Sequence, residues 1–277
     1  MKLIKNKIEL LPQGNVLWGI YEQIELAGRT AYKSTDKIER DELGHSITAS
    51  SFVNKMIALK HGSPLEHGTV YLSIPMSSPD AEFYLAEKYS VCNVSSKNHN
   101  YWDITTNYRV LVENERLDDL KYLCKPNDSH ERRYTMRLTI ARVQADSFVR
   151  HRVFSFLMES TRYCNYANDK FNSEIQVVEP VNWEEYMEGQ TVFLFNWHRA
   201  EKDYLRLIEA GVKPEDARDV LPLQLKTELI MTGTLSQWQD FFKLRISEHA
   251  HPDAKYIATE INKCITNSLK EEFSYDN

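Results

Sequence analysis

Apolar residues recur at helical steps over residues 16–27 and again over 48–60, where Phe52, Met56 and Leu59 share one face, so both stretches predict helices. Residues 3–10 read as a first strand. The segment His61-Gly62-Ser63-Pro64-Leu65-Glu66-His67 is turn-like and leads into a strand over 69–75. Alternation is clearest over 133–143, with Tyr134, Met136, Leu138 and Ile140 on one face and Arg137 and Thr139 on the other, the pattern of a half-buried strand. Asp146 is placed to cap a helix carrying Arg150, His151 and Arg152. Residues 191–210 predict an amphipathic helix closed by Gly211. Pro214, with Glu215 and Asp216, starts another, which Pro222 ends or kinks. Residues 224–232 fit a strand or a short helix, and the last strong helix begins near Thr234, whose spacing to Gln237 is that of a capping box.

Residues 77–132 show no clean period. Ser, Asn and Asp clusters alternate with Tyr84, Tyr89, Tyr101, Trp102 and Tyr108, too many aromatics for wholesale disorder, and a short helix fits around 114–124. No repeat, GxGxxG or Walker A sequence is present, so ordinary dinucleotide and NTP folds lack their usual signals. The mixture predicts an α+β protein, a largely antiparallel sheet packed with helices, as a single domain over 1–277 with an insertion around 77–132.

The net charge of −6 argues against a general nucleic-acid binder and requires any bound anion to sit in a local cationic cluster. Cys92, Cys124, Cys164 and Cys264 are widely spaced and form no C-x-x-C pair, which suits reduced thiols and a cytoplasmic protein without zinc. No apolar run approaches membrane length, and Lys5, Lys7 and Glu9 fall where a signal peptide needs an apolar stretch.

Three segments carry candidate chemistry. In 150–163, Arg150, His151, Arg152, Ser160 and Arg162 are interleaved with Val153, Phe154, Phe156 and Leu157; the guanidinium forks suit phosphate oxygens, while the plainer reading is an amphipathic helix with solvated arginines. After Thr234, the positions Leu235, Trp238, Phe241 or Phe242, Arg245 and His249 recur at helical steps, so Arg245 sits on an apolar stripe and needs an anionic or accepting partner, either a ligand or a protein carboxylate. Arg218 is either a further anion contact or half of a surface pair with Asp219 or Glu215. His249, His251 and Asp253 permit a metal reading, but an HxH on a helix turns its rings to different faces, and no metal is expected.

Taken together and in order, these segments resemble the flavin-dependent thymidylate synthases, the ThyX family. The resemblance rests on Arg150-His151-Arg152 followed by Ser160 and then Arg162-Tyr163, on His61-x-Ser63-Pro64-x-Glu66-His67, on Ala217-Arg218-x-Val220-Leu221-Pro222, and on Phe241-Phe242-x-Leu244-Arg245 with His249-Ala250. It implies methylation of dUMP to dTMP using FAD, with methylenetetrahydrofolate giving the carbon and NADPH the electrons, in a homotetramer whose sites lie between subunits. By resemblance, FAD would touch Ser63, Glu66, Arg150, His151, Arg152, Thr234 and Asp240. The nucleotide would be held by Arg150, Glu159, Ser160, Thr161, Arg162, Arg218 and Arg245, with Arg245 also polarising the uracil ring as the catalytic residue. Neither nucleic acid nor membrane is an expected partner.

The chain departs from the family pattern in several places. Ser147 stands where the family often has Gln, and Leu157 and Met158 stand where it often has Asn-Glu, the acid coming one place later at Glu159. Thr234, Ser236 and Asp240 stand where it often has Asn, Arg and Asn. The 82 residues between His67 and Arg150 far exceed the usual spacing, which implies an insertion acting as a lid or an interface element. Two alternatives follow: a divergent member acting on another pyrimidine nucleotide, and a non-catalytic nucleotide- or RNA-binding protein built on the RHR cluster.

Overall fold

The computed structural model describes residues 1–14, 16–161, 165–167 and 174–274, with side chains described as far as 270. The expected first strand is two: β1 (Lys2–Ile4) and β2 (Lys7–Leu11). They are followed by α1 (Leu17–Ala31), α2 (Ala49–Ala58), the short α3 (Gly62–Leu65) and β3 (Thr69–Pro75). Residues 77–132 hold α4 (Pro79–Ala86), β4 (Val91–Val94), β5 (Tyr101–Asn107), α5 (Tyr108–Glu113) and a 3-10 turn at Leu117–Tyr122. Then come β6 (Arg133–Ala141), α6 (Arg142–Phe148), β7 (Ser155–Met158), β8 (Gln176–Val178), α7 (Glu188–Glu209), α8 (Pro214–Ala217), β9 (Lys226–Thr234), α9 (Leu235–Arg245) and α10 (Pro252–Ser274). The α+β class with largely antiparallel pairing holds, the strands of the described residues falling into three sheets rather than one.

The central sheet has the order β2-β6-β9-β7 and is antiparallel throughout. Its register explains the sequence pattern. Met136, Leu138 and Ile140 of β6 and Leu229 and Met231 of β9 form one face, fully buried against Trp238 and Phe241 of α9 and Ile257 and Ile261 of α10. On the other face, β9 carries Lys226, Glu228, Ile230, Thr232 and Thr234, matched across the pair by Arg133 opposite Thr234 and Thr135 opposite Thr232. This polar face carries the candidate chemistry. Opposed strands settle 224–232 as a strand rather than a helix, because both β6 and β7 need its hydrogen-bonding edges.

A second antiparallel sheet, β3-β5-β4, takes two of its strands, β4 and β5, from the insertion. It is no free appendage. Val70, Leu72, Ile74 and Ile104 are buried with Ile20 and Ile24 of α1 and Phe52, Val53 and Met56 of α2 in one cluster, so the insertion shares a core with the helices before it. A third cluster joins the parallel pair β1-β8 to Trp197 and Tyr204 of α7.

Three local expectations change. The helix expected to carry Arg150, His151 and Arg152 ends at Phe148, and those residues form a turn in which Phe154 N–H donates to the His151 carbonyl. The turn is imposed by β7, which must reach its register of Ser155 opposite Thr232. His249 is not on the Arg245 helix, because α9 stops at Arg245. A further helix, α10, follows from Pro252, beyond the one expected to be last.

Candidate active site

Arg245 ends α9, whose start is fixed by the Thr234 capping box: the Thr234 hydroxyl accepts from Gln237 N–H, and the Gln237 side chain accepts from Thr234 N–H. The helix is held to the central sheet by Trp238, fully buried, whose indole N–H donates to the Tyr134 carbonyl at 3.2 Å. That docking brings Arg245 onto the Arg150–Arg152 turn. Its Nε donates to His151 Nε2 at 2.9 Å, its Nη2 to the Ser147 carbonyl at 2.6 Å, and its guanidinium lies 5.6 Å from the Phe148 ring centre. Burial, then the like charge of Arg150, lowers the Arg245 pKa from its ordinary value. Burial, then Arg245 and Arg150, lowers that of His151, so its ring is neutral with Nε2 as acceptor and Nδ1 protonated. Arg150, His151, Arg245, His249 and His251 line one cavity of about 480 Å³.

A carboxylate partner for Arg245, the plain alternative, is not what the fold provides. Among the described residues no Asp or Glu lies within 4 Å of Arg150, Arg152, Arg218 or Arg245. Arg218 instead donates to Thr161 Oγ1 at 3.2 Å, rather than pairing with Asp219 or Glu215. These two residues line a separate cavity of about 300 Å³ with Arg142, whose Nη2 reaches the Glu159 carbonyl at 3.4 Å and Thr161 Oγ1 at 3.5 Å. Four of the residues expected to bind the nucleotide are thus divided between two cavities of one chain, Arg150 and Arg245 in one and Thr161 and Arg218 in the other. Arg162 lies outside the described residues.

Glu159 follows β7 and is 1% exposed. Its Oε2 accepts from Lys226 Nζ at 2.5 Å and lies 3.8 Å from Lys33 Nζ, while Glu228 takes Lys226 at 2.9 Å and Lys33 at 2.6 Å. Burial alone would raise the Glu228 carboxyl, but Lys226 and Lys33 outweigh it and hold it down to about 2. The second Glu159 oxygen, Oε1, is buried with no partner among the described residues. Beside it the backbone N–H of Ser160 donates to the Ala31 carbonyl at 3.3 Å, tying this end of β7 to the end of α1.

The third cavity, about 810 Å³, opens on the polar face of the sheet and is lined by Glu66, Arg133, Arg152, Phe154, Ser155, Thr234 and residues of the insertion. Phe154 packs edge-on to Trp238 with ring centres 4.7 Å apart, which is possible because residue 233 is glycine: a Cβ there would lie 2.4 Å from the Phe154 ring. Arg133 donates to Thr69 Oγ1 and to the Glu66 carbonyl, again not to a carboxylate, and burial lowers its pKa to about 10. Of the expected flavin contacts, Glu66, Arg152 and Thr234 come together here. Arg150 and His151 face the Arg245 cavity, Ser63 is exposed on α3, and Asp240 is exposed on α9 and paired with Lys243 at 2.9 Å.

The sequence reading missed Arg142, Arg133, Lys226, Glu228 and Lys33. Strand assignment of 226–234 was the missing signal for Lys226 and Glu228, whose shared parity puts them on one face; Lys33 has no sequence signal at all. Among the described residues, no group of three or more His, Cys, Asp or Glu is arranged to hold a metal ion, and no helix is long and apolar enough to cross a membrane.

A sequence model of the family described as thymidylate synthase complementing protein matches residues 130–269, half of the chain. The chain belongs to that family. Its relatives include the flavin-dependent thymidylate synthases of Geobacter sulfurreducens, 30% identical over 126 residues covering 46% of this chain and 53% of the relative, and of Pyrococcus furiosus, 32% identical over 122 residues covering 43% and 48%. The chain thus spans about half the length of the curated relatives it matches. Among solved structures it is similar to the UMP/dUMP methylase PolB from Streptomyces cacaoi bound with 5-Br dUMP, with 14% identity, a TM-score of 0.47, and coverage of 96% of this chain and 93% of that one. The matched family segment, 130–269, contains Arg150, Arg152, Glu159, Arg218, Thr234 and Arg245 but not Glu66 or residues 77–129 of the insertion.

Proposed function

We propose that this protein is a flavin-dependent thymidylate synthase that converts dUMP to dTMP. In the overall reaction the methylene carbon of methylenetetrahydrofolate leaves both folate nitrogens, which take up protons to give tetrahydrofolate, and bonds to uracil C5; the C5 hydrogen leaves as a proton, and a hydride equivalent from NADPH, released as NADP⁺, completes the methyl group. The observation that carries this reading is the set of arginines without carboxylate partners in a chain of net charge −6. Guanidinium groups crowded beside one another, with neutral acceptors only, are stabilised by an anion, and a nucleotide phosphate supplies two charges.

Arg150 and Arg245 would hold the nucleotide from one side, and Ser160, Thr161, Arg162 and Arg218 from the other. Because Arg150 and Arg245 line one cavity of the chain and Thr161 and Arg218 another, the active site would form where protomers meet, which is the case for a homotetramer. Glu159 would offer its unpartnered Oε1 to a donor on the substrate. Arg245, held at two points, would aim its remaining N–H groups at the uracil as charge develops there.

FAD fits the third cavity. Its volume lies in the range of cofactor sites, roughly 300–1,000 Å³; Arg133 and Arg152 bring charge without carboxylate partners; and Glu66 and Thr234 bring acceptors. When bound, the flavin supplies the redox chemistry, while Glu66, Arg152 and Thr234 hold and orient it. The assignment of Ser63 and Asp240 to the same ligand rests on the resemblance alone. The test is optical. Purified protein titrated with FAD should develop a bound-flavin band near ~450 nm that dUMP then perturbs. Protein that takes up no FAD while still binding dUMP would favour a non-catalytic nucleotide binder and overturn the proposal.

A further inference from the structure

The third cavity has two walls of different origin. One is the polar face of the central sheet with Arg152 and Phe154. The other is built entirely from the insertion, by Glu87–Tyr89 after α4 and by Asn107–Asn114 at α5. Arg109 ties the walls together: Nη1 donates to Glu66 Oε1 at 2.5 Å and Nε to Glu113 Oε1 at 2.7 Å. The guanidinium reaches Glu66 by lying directly on Gly62, where a Cβ would sit 2.6 Å from Arg109 Nε. Only a residue without a side chain leaves that path open. Glu66 Oε1 is therefore fixed by Arg109, and Glu66 lines the cavity with its carboxylate held in place. Further along the same wall, Tyr89 is 62% exposed and Lys88 Nζ lies 4.7 Å from its ring centre. A flat ring beside an ammonium, lining the same cavity as Arg133 and Arg152, matches a ligand with an anionic middle and a planar end.

We infer that the insertion is the second wall of the flavin site and makes it a dinucleotide site. Arg109 is a positioning residue that aims Glu66 at sugar hydroxyls, and Tyr89 with Lys88 receives the purine ring of FAD, the half that FMN lacks. The inference rests on the flavin reading above. It assigns work to residues outside the family-matched segment, and it makes the insertion part of the binding site rather than a lid closing over it.

The discriminating probe is the ratio of FAD to FMN affinity, measured by quenching of flavin fluorescence on the full-length protein. Tyr89→Ala, at an exposed position where folding is not at stake, should weaken FAD about tenfold or more, the scale of one lost base-stacking contact, and leave FMN within about threefold. Arg109→Ala should weaken FAD about ten- to hundredfold through the freed Glu66, with Arg109→Lys recovering part of the loss. If the wild-type protein binds FAD but both alanine variants titrate as wild type, the inference fails and the function stands. If Tyr89→Ala weakens FAD and FMN equally, the purine assignment is wrong. If the wild-type protein binds neither flavin, the functional reading fails and takes the inference with it.

Discussion

Arg245→Lys keeps one positive charge and removes the planar fork. The native guanidinium uses Nε on His151 at 2.9 Å and Nη2 on the Ser147 carbonyl at 2.6 Å, and stacks on Phe148. A lysine ammonium is a point donor and cannot hold both acceptors while still presenting an N–H to a ligand. Losing one charge-assisted hydrogen bond costs ~1.5–3 kcal/mol, with the lower end expected at a site open to solvent. For a chain of this size that is a fall in Tm of roughly 3–6 °C, which leaves the protein folded. The functional loss is larger, because a preorganised donor to developing charge is worth ~10²–10³ in kcat. Steady-state kinetics per folded molecule should show that fall in kcat with KM for dUMP changed only a few-fold, the pattern of an interaction made in the transition state. A lower Tm with kcat within about threefold of wild type would refute the reasoning and make Arg245 a structural clamp on the Arg150–Arg152 turn.

Three further outcomes are expected. Arg218→Ala removes the Thr161 contact and should weaken dUMP binding about ten- to hundredfold in calorimetry while leaving FAD binding unchanged; equal losses for both ligands would show a folding defect instead. Lys226→Met takes the 2.5 Å partner from buried Glu159 and leaves it only Lys33 at 3.8 Å; it should destabilise the fold by ~3 kcal/mol in denaturant unfolding, with the double change Lys226→Met, Glu159→Leu recovering most of it; an additive double variant would contradict the buried pair. His67 is fully buried, donating or accepting through Nδ1 with Thr232 Oγ1 at 2.7 Å, and burial, then Arg133, lowers its pKa from 6.5 to about 3. Its folded pKa lies below the unfolded value, so the unfolded chain binds the extra proton between those limits; stability is full above about pH 6.5 and falls by ~1.4 kcal/mol per pH unit toward pH 3. His67→Asn should flatten that acid limb by this amount, and an unchanged slope would remove His67 as its source.

Much of the fold was legible because burial is one-sided. Tyr134, Met136, Leu138 and Ile140 announce β6, and Thr234 with Gln237 announces the start of α9, since period and cap chemistry are local. The turn at Arg150–Arg152 was not legible, because it is dictated by the pairing of Ser155 with Thr232, a contact far away in sequence. The insertion was opaque for a related reason: its strands bury apolar residues against α1 and α2, and β4 is short and largely exposed. At the site, the arginines were legible as charges embedded in apolar sequence. What the sequence lacked was their partners. It left Arg245 and Arg218 open between carboxylates and ligands, and only the fold places them against His151, the Ser147 carbonyl and Thr161. Nor does a sequence show that Arg150 and Arg218 face different cavities.

The central claim is methyl transfer to uracil C5, and that substitution must expel the C5 hydrogen to water. Tritium release from 5-³H-dUMP therefore tests it most directly, with FAD, methylenetetrahydrofolate and NADPH all present and each omitted in turn. Tritium should appear in water in step with dTMP formation, with dTMP formation lost when any one of the three is withheld and both signals sharply reduced in Arg245→Lys. A folded protein that binds dUMP yet releases no tritium in the complete mixture would contradict it.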